Sequence, residues 1–185
     1  MNTSERAKSV REALVIIGVT VLVYLVIYFT LQHSVVEGSS MQPSLENGQR
    51  LLVNKTAFMF DQPQRGEIVI IHPPGDPQKQ WVKRVIGLPG DVVSISGGQV
   101  YVDGVPLEEP YIQEKPAYSM PATVVPEDCY FVLGDNRNHS SDSHLGWTVP
   151  RNSIVGEVWL RFWPLNNWGV VPAYPLNDEI ALANQ

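Results

Sequence analysis

From Ala13 to Leu31 the chain is apolar and carries no charge, and no comparable run recurs after it. As a helix these 19 residues would rise roughly 28 Å, close to the ~30 Å hydrocarbon core of a bilayer. A cleaved leader is the main alternative, but its apolar stretch would be about 7–15 residues and would end on a small-x-small site. The residues that follow, Gln32-His33-Ser34-Val35-Val36-Glu37, offer no such site. The pattern therefore predicts an N-terminus at 1–12, a permanent anchor at 13–31, a β domain at 32–170 and a tail at 171–185. Arg6, Lys8 and Arg11 precede the anchor and the next basic residue is Arg50. The positive-inside bias then puts the N-terminus in the cytoplasm and the remainder outside.

Beyond the anchor the period shortens. Gly48 to Lys55, Arg65 to Ile71, Trp81 to Ile86, Val92 to Ser96, Gln99 to Val102, Tyr130 to Leu133 and Val155 to Pro164 read as short strands rich in β-branched and aromatic residues. Gly97-Gly98 joins two of them as a hairpin, and Asp103-Gly104 makes a further turn. His72-Pro73-Pro74-Gly75-Asp76-Pro77 forbids regular structure. Tyr111 to Pro126 reads as irregular, and the last ten residues as frayed or a short helix. The fold class predicted is mostly β, an antiparallel meander behind one transmembrane helix.

Composition narrows the partners. A net charge of −6 argues against nucleic acid, which needs clustered Lys and Arg. Pro 15 and Gly 14 are spread through the chain, as turns between strands require. Cys129 is the sole cysteine, so it forms neither an intrachain disulfide nor a structural zinc site alone. Its apolar surroundings predict a buried, inert thiol. Phe58, Met59, Phe60, Trp159, Phe162, Trp163 and Trp168 include candidates for a patch resting on the bilayer, with Trp159 read as a core residue.

The candidate chemistry begins at Glu37-Gly38-Ser39-Ser40-Met41-Gln42-Pro43-Ser44-Leu45, just past the anchor. It is either a polar turn leaving the membrane or a nucleophile held beside it. A serine hydroxyl needs a neighbour to take its proton. His33 and His72 lie in poor contexts for that role. His139 and His144 share a segment with Asp135 and Asp142, which permits a Ser-His-Asp set or a metal site, though no standard zinc spacing is present. Lys83 is the other candidate base, flanked by Trp81, Val82, Val85 and Ile86. It either snorkels to solvent at a sheet edge or is buried, where desolvation lowers its pKa and frees the amine. Spacing alone does not choose between these.

Gly38 to Leu45 resembles the nucleophile box of the type I signal peptidases, membrane-anchored proteases with a Ser-Lys dyad. Arg65-Gly66-Glu67-Ile68-Val69 is similar to the family's central strand motif, with Glu67 where Asp is commoner. Lys83 to Asp91 resembles the general-base box, and Gly134-Asp135-Asn136-Arg137 with Ser140, Asp142 and Ser143 the last box. The four occur in the family's order between about Val35 and Trp163. The resemblance implies a compact antiparallel β-sheet catalytic domain of the signal peptidase I type. It implies a serine endopeptidase of the plasma membrane that removes signal peptides from exported preproteins after a small-x-small site, with no cofactor and no metal. Ser40 would be the nucleophile and Lys83 the general base, with Ser140 orienting the amine and Asp142 bracing its segment. Val36, Leu45, Trp81 and Val82 would line the substrate pockets.

Two departures qualify that expectation. Gly38 stands where some members carry a serine whose hydroxyl helps hold the oxyanion, leaving the Ser40 backbone N–H to do more. His144 stands where many have arginine, which would make an ion pair to aspartate pH-dependent and suits a structural role. Rival functions are a specialised Ser-Lys peptidase with few substrates and an inactive anchored β module that binds extracytoplasmic polypeptides.

Overall fold

The computed structural model describes residues 3–174 and Leu176. Helix α1 spans Thr3–Thr30, longer than the predicted anchor, because the residues before Ala13 continue the helical turn. Its apolar part, Arg11–Thr30, has a mean hydropathy of 2.6 and buries none of its surface inside the protein. Apolar on all sides and packed against nothing, it has the character of a membrane span.

Strand β1 (Leu31–Val35) starts at the residue after the helix, so Leu31, expected to end the anchor, begins the sheet. The junction is tied down, with the Thr30 carbonyl accepting the Lys55 N–H at 2.9 Å. The strands that follow are β2 (Arg50–Asn54), β3 (Ile68–Ile71), β4 (Trp81–Gly87), β5 (Val92–Ser96), β6 (Gln99–Val102), β7 (Val105–Pro106), β8 (Met120–Val124), β9 (Cys129–Leu133), β10 (Val149–Pro150), β11 (Ile154–Trp163) and β12 (Gly169–Val170). The larger sheet runs β1-β2-β11-β3-β4-β9-β10, with β12 added to the end of β11, and the smaller runs β7-β6-β5-β8. Every pairing is antiparallel.

The centre of the large sheet is covered on both faces. On β3, Ile68 and Ile70 pack with Val36, Met41, Leu45 and Val158, while Val69 and Ile71 pack with Phe58, Val85, Tyr130 and Val132. That is the period of two, with apolar side chains on both sides. A third cluster joins Ile86, Phe131 and Leu133 to Val93, Ile95, Val100 and Val102 of the small sheet. The β5–β6 hairpin turns through Gly97 (φ 57°) and Gly98 (φ 77°), two successive left-handed residues as a type I′ turn demands.

Several expectations are corrected. The stretch read as irregular, Tyr111 to Pro126, contains β8, which pairs with β5; its one strand proline, Pro121, sits on the edge strand of the small sheet, where a missing N–H is tolerated. Trp159 is 47% exposed rather than in the core, because the register shift of β11 against β2 falls between Val158 and Leu160 and turns its side chain outward. Cys129, at the start of β9, is only partly buried. Among the apolar loop residues, Phe58 is buried while Met59 and Phe60 are exposed. The expectation for the last ten residues lies outside the described residues, except that Leu176 is buried against the small-sheet cluster.

Gly87 shows how tightly the two sheets meet. An added Cβ would lie 2.7 Å from Val93 Cγ2 and 2.9 Å from Phe131 Cβ. Overpacking of this kind costs about 1–3 kcal/mol, so Gly87→Ala lowers the Tm of the detergent-solubilised chain by several degrees. An unchanged Tm would show that the sheets can move apart there freely.

Candidate active site

Three segments converge on one cleft. The first is the loop between β1 and β2, closed by Val36 N–H on the Gln49 carbonyl and Gly48 N–H on the Val36 carbonyl, at 2.9 and 2.8 Å. Gly38 adopts φ 88°, which a side chain there would resist, and its N–H donates to Asn47 Oδ1 at 2.8 Å. Ser40 follows in a tight turn. The second segment is β4 with the loop before it. The third is the stretch after β9, from Gly134 to His144.

The cleft has a volume of about 610 Å³ and is lined on one side by Val36, Glu37, Ser40 and Met41 and on the other by Gln80, Trp81, Val82 and Lys83. Of the four side chains expected to form pockets, Val36, Trp81 and Val82 line it. Leu45 does not: it is fully buried and packs beneath with Val36 and Met41. Met41 takes a lining place that the sequence reading left unassigned.

Lys83 is 2% exposed. β4 is an interior strand between β3 and β9, so the side chain has no sheet edge over which to reach solvent. Its Nζ donates to Ser140 Oγ at 2.7 Å and lies 5.7 Å from the Trp81 ring. Burial pulls its pKa down from 10.5 to about 8, against the opposing pull of the Asp142 and Asp135 charges. That drop corresponds to about 3 kcal/mol against the ammonium. At pH 7 roughly one amine in ten is neutral, where an ordinary lysine keeps fewer than one in a thousand.

The third segment locks this geometry. Asp142, fully buried, accepts the Gly134 N–H on Oδ2 at 2.9 Å, and its Oδ1 lies 2.6 Å from His144 Nδ1. Gly134 has no room for a side chain, since a Cβ would fall 2.5 Å from the Ser40 carbonyl oxygen and onto Ser140. Asn136 N–H donates to that same Ser40 carbonyl at 2.9 Å, and its side-chain amide donates to the Ser39 carbonyl at 3.1 Å. Behind it, Arg84 forms a bidentate pair with Asp135 at 2.9 and 2.7 Å, both side chains fully buried. Arg137 does the same with Glu109 at 2.9 and 2.7 Å.

The four expected catalytic and supporting positions thus fall together: Ser40 and Lys83 face one cleft, Ser140 touches Lys83, and Asp142 braces Gly134. His139 is exposed, His33 lies on β1, and His72 Nδ1 meets the Lys79 carbonyl at 2.9 Å, so none of these three reaches Ser40. Among the described residues no group of three or more His, Cys, Asp or Glu side chains is arranged to hold a metal ion.

Residues 9–163 match the model of the family described as signal peptidase, peptidase S26. The chain is 42% identical over 161 residues to a protein named probable signal peptidase I-1 from Synechocystis sp., covering 83% of this chain and 82% of that one. It is 43% identical over 166 residues to a signal peptidase I from Leptolyngbya laminosa, covering 85% and 82%. A crystal structure of a signal peptidase I from Enterococcus faecalis V583 is 34% identical, with a TM-score of 0.47 over 53% of this chain and 97% of that one.

The electrostatics make a prediction with a definite sign. The Asp142 carboxylate favours the Lys83 ammonium, so Asp142→Asn moves the Lys83 pKa below about 8. The pH dependence of Lys83 acylation by an amine reagent, followed by mass spectrometry, measures it. A titration that stays put or climbs contradicts this account.

Proposed function

This chain belongs to the signal peptidase family, peptidase S26, and on that premise we propose that Ser40 and Lys83 are the nucleophile and general base with which it cleaves signal peptides from exported preproteins. One observation carries the assignment: a lysine buried on an interior strand, with its amine on Ser140 Oγ at 2.7 Å, lines the same cleft as Ser40.

The chemistry follows from those two groups. Neutral Lys83 takes the Ser40 proton as Oγ attacks the scissile carbonyl. Protonated Lys83 then gives that proton to the leaving amine, leaving an acyl-enzyme. Water, deprotonated by the same lysine, hydrolyses the ester and frees the signal peptide's new C-terminus. The developing oxyanion is held by the Ser40 backbone N–H, since Gly38 has no hydroxyl to offer. Val36, Trp81 and Val82 leave room for small side chains before the cut, with Leu45 acting only as the floor beneath them.

The chain is anchored by α1, with the basic N-terminus in the cytoplasm and the β domain outside. Exposed Phe60, Trp159, Trp163 and Trp168 supply apolar surface suited to the headgroup region of a bilayer.

Purified protein incubated with a precursor carrying a small-x-small site tests the assignment. Ser40→Ala and Lys83→Ala each lower turnover by at least about a thousandfold, whereas His144→Ala, which removes only a brace of Asp142, lowers it by about tenfold. Unchanged cleavage by Lys83→Ala sinks the dyad, and abolished cleavage by His144→Ala with Lys83→Ala still active revives a histidine base. Activity rises with pH, with its acid limb near 8, because only neutral Lys83 works as the base. A limb in the range of an ordinary histidine would contradict the lysine.

A further inference from the structure

Tyr118 lies far from Ser40 in sequence and outside the cleft, yet it stacks on the imidazole of His144, ring centroids 4.1 Å apart and planes inclined by 24°. That ring is the side-chain donor to Asp142, whose carboxylate can only accept, so Nδ1 carries the proton. Asp142 in turn holds the Gly134 N–H, and Gly134 is wedged against Ser140 and the Ser40 carbonyl. The segment carrying Tyr118 is fixed to the same region. Asn138 Oδ1 accepts the Ala117 N–H at 2.8 Å, and its amide donates to the Lys115 carbonyl at 3.1 Å. The Tyr118 hydroxyl is buried and, among the described residues, has no hydrogen-bond partner. It is therefore the ring face, not the hydroxyl, that the fold uses.

We propose that Tyr118 is a positioning residue for the proteolytic site, its ring holding the His144 imidazole in the plane that keeps Asp142 on Gly134 and Ser140 on Lys83. The proposal rests on the Ser40–Lys83 reading. The last torsion of a histidine side chain has broad, shallow preferences, so a single hydrogen bond from Nδ1 leaves the plane of the ring to be set by what packs on its face. Tyr118 packs there, so the buried carboxylate never loses its donor. Asp142, Arg137 and Glu109 are the charged groups that act on the Tyr118 hydroxyl, and Asp142 and Asp135 those acting on Lys83.

The test is a double-mutant cycle on the full chain in detergent, assayed on a small-x-small precursor. Tyr118→Ala lowers kcat about tenfold with KM within about twofold, because Tyr118 does not line the cleft. Tyr118→Phe keeps kcat. The acid limb of the rate moves to higher pH in Tyr118→Ala, since an Asp142 charge less offset by its donor holds the Lys83 proton more firmly. In a His144→Ala background, Tyr118→Ala costs nothing further. Tyr118→Leu keeps the apolar volume, and so the Tm, while losing the flat face; it matches Tyr118→Ala in kcat, which separates positioning from folding.

Losses that multiply in the double mutant overturn the proposal. So does equal impairment by Tyr118→Phe, or full activity with an unmoved acid limb in Tyr118→Leu. The dyad is judged separately: if Ser40→Ala and Lys83→Ala abolish turnover while the cycle shows no coupling, only the positioning role falls.

Discussion

β4 is interior, and both of its faces are covered. Two adjacent cations on it, Lys83 and Arg84, are therefore buried together, and neighbours decide what becomes of each. Arg84 meets a full carboxylate in bidentate geometry, a Gly66 carbonyl at 2.6 Å, and the face of Tyr111 at 4.1 Å. Those contacts pin it in place, and removing Asp135 would leave a buried guanidinium unpaired at a cost of about 3–5 kcal/mol. Lys83 is given one hydroxyl and two carboxylates that act on it only at a distance. The same burial that makes Arg84 a rivet makes Lys83 a poor ammonium and hence a usable base.

The rest of the site is organised to keep that difference. The Gly134–His144 stretch touches Ser40 through backbone groups, Lys83 through Ser140, and Arg84 through Asp135. Each contact is with an atom that has few other places to go. Arg137, clamped by Glu109, also donates to the Gly134 carbonyl at 3.0 Å, so both sides of the Gly134 peptide are bound. A site whose parts come from three distant stretches of chain needs such redundancy, because a displacement of about 1 Å between reacting groups is expensive in rate.

What the sequence made legible follows from what is local. The apolar helix, the hairpin at Gly97-Gly98 and most strands depend on runs of neighbouring residues; the strand boundaries fell within a few positions, while the helix begins ten residues before Ala13. Strands β1 and β8 were not legible: Gln32-His33-Ser34 and Pro121-Ala122-Thr123 have little intrinsic preference for extension, and their partners β2 and β5 hold them there. At the site, Ser40 and Lys83 were recognisable as candidates, but the choice between a buried and a snorkelling Lys83 depends on strand order, which no local pattern carries. The outward turn of Trp159 comes from a register shift, and the burial of Leu45 beneath the cleft from a loop closing on itself. Both are consequences of tertiary pairing.

Strand β1 begins where α1 ends, with no linker between them, and β1 runs straight into the wall of the cleft at Ser34 to Glu37. The distance of the cleft from the apolar helix and the shape of its wall are thus a single variable. A residue inserted within β1 would lengthen it by about 3.3 Å and send the positions on one side of the insertion to the opposite face. Only changes in pairs preserve the wall, and those step by nearly 7 Å. Evolution and design alike can tune this protein's reach toward a thicker or thinner membrane only in coarse increments, or by altering the helix itself.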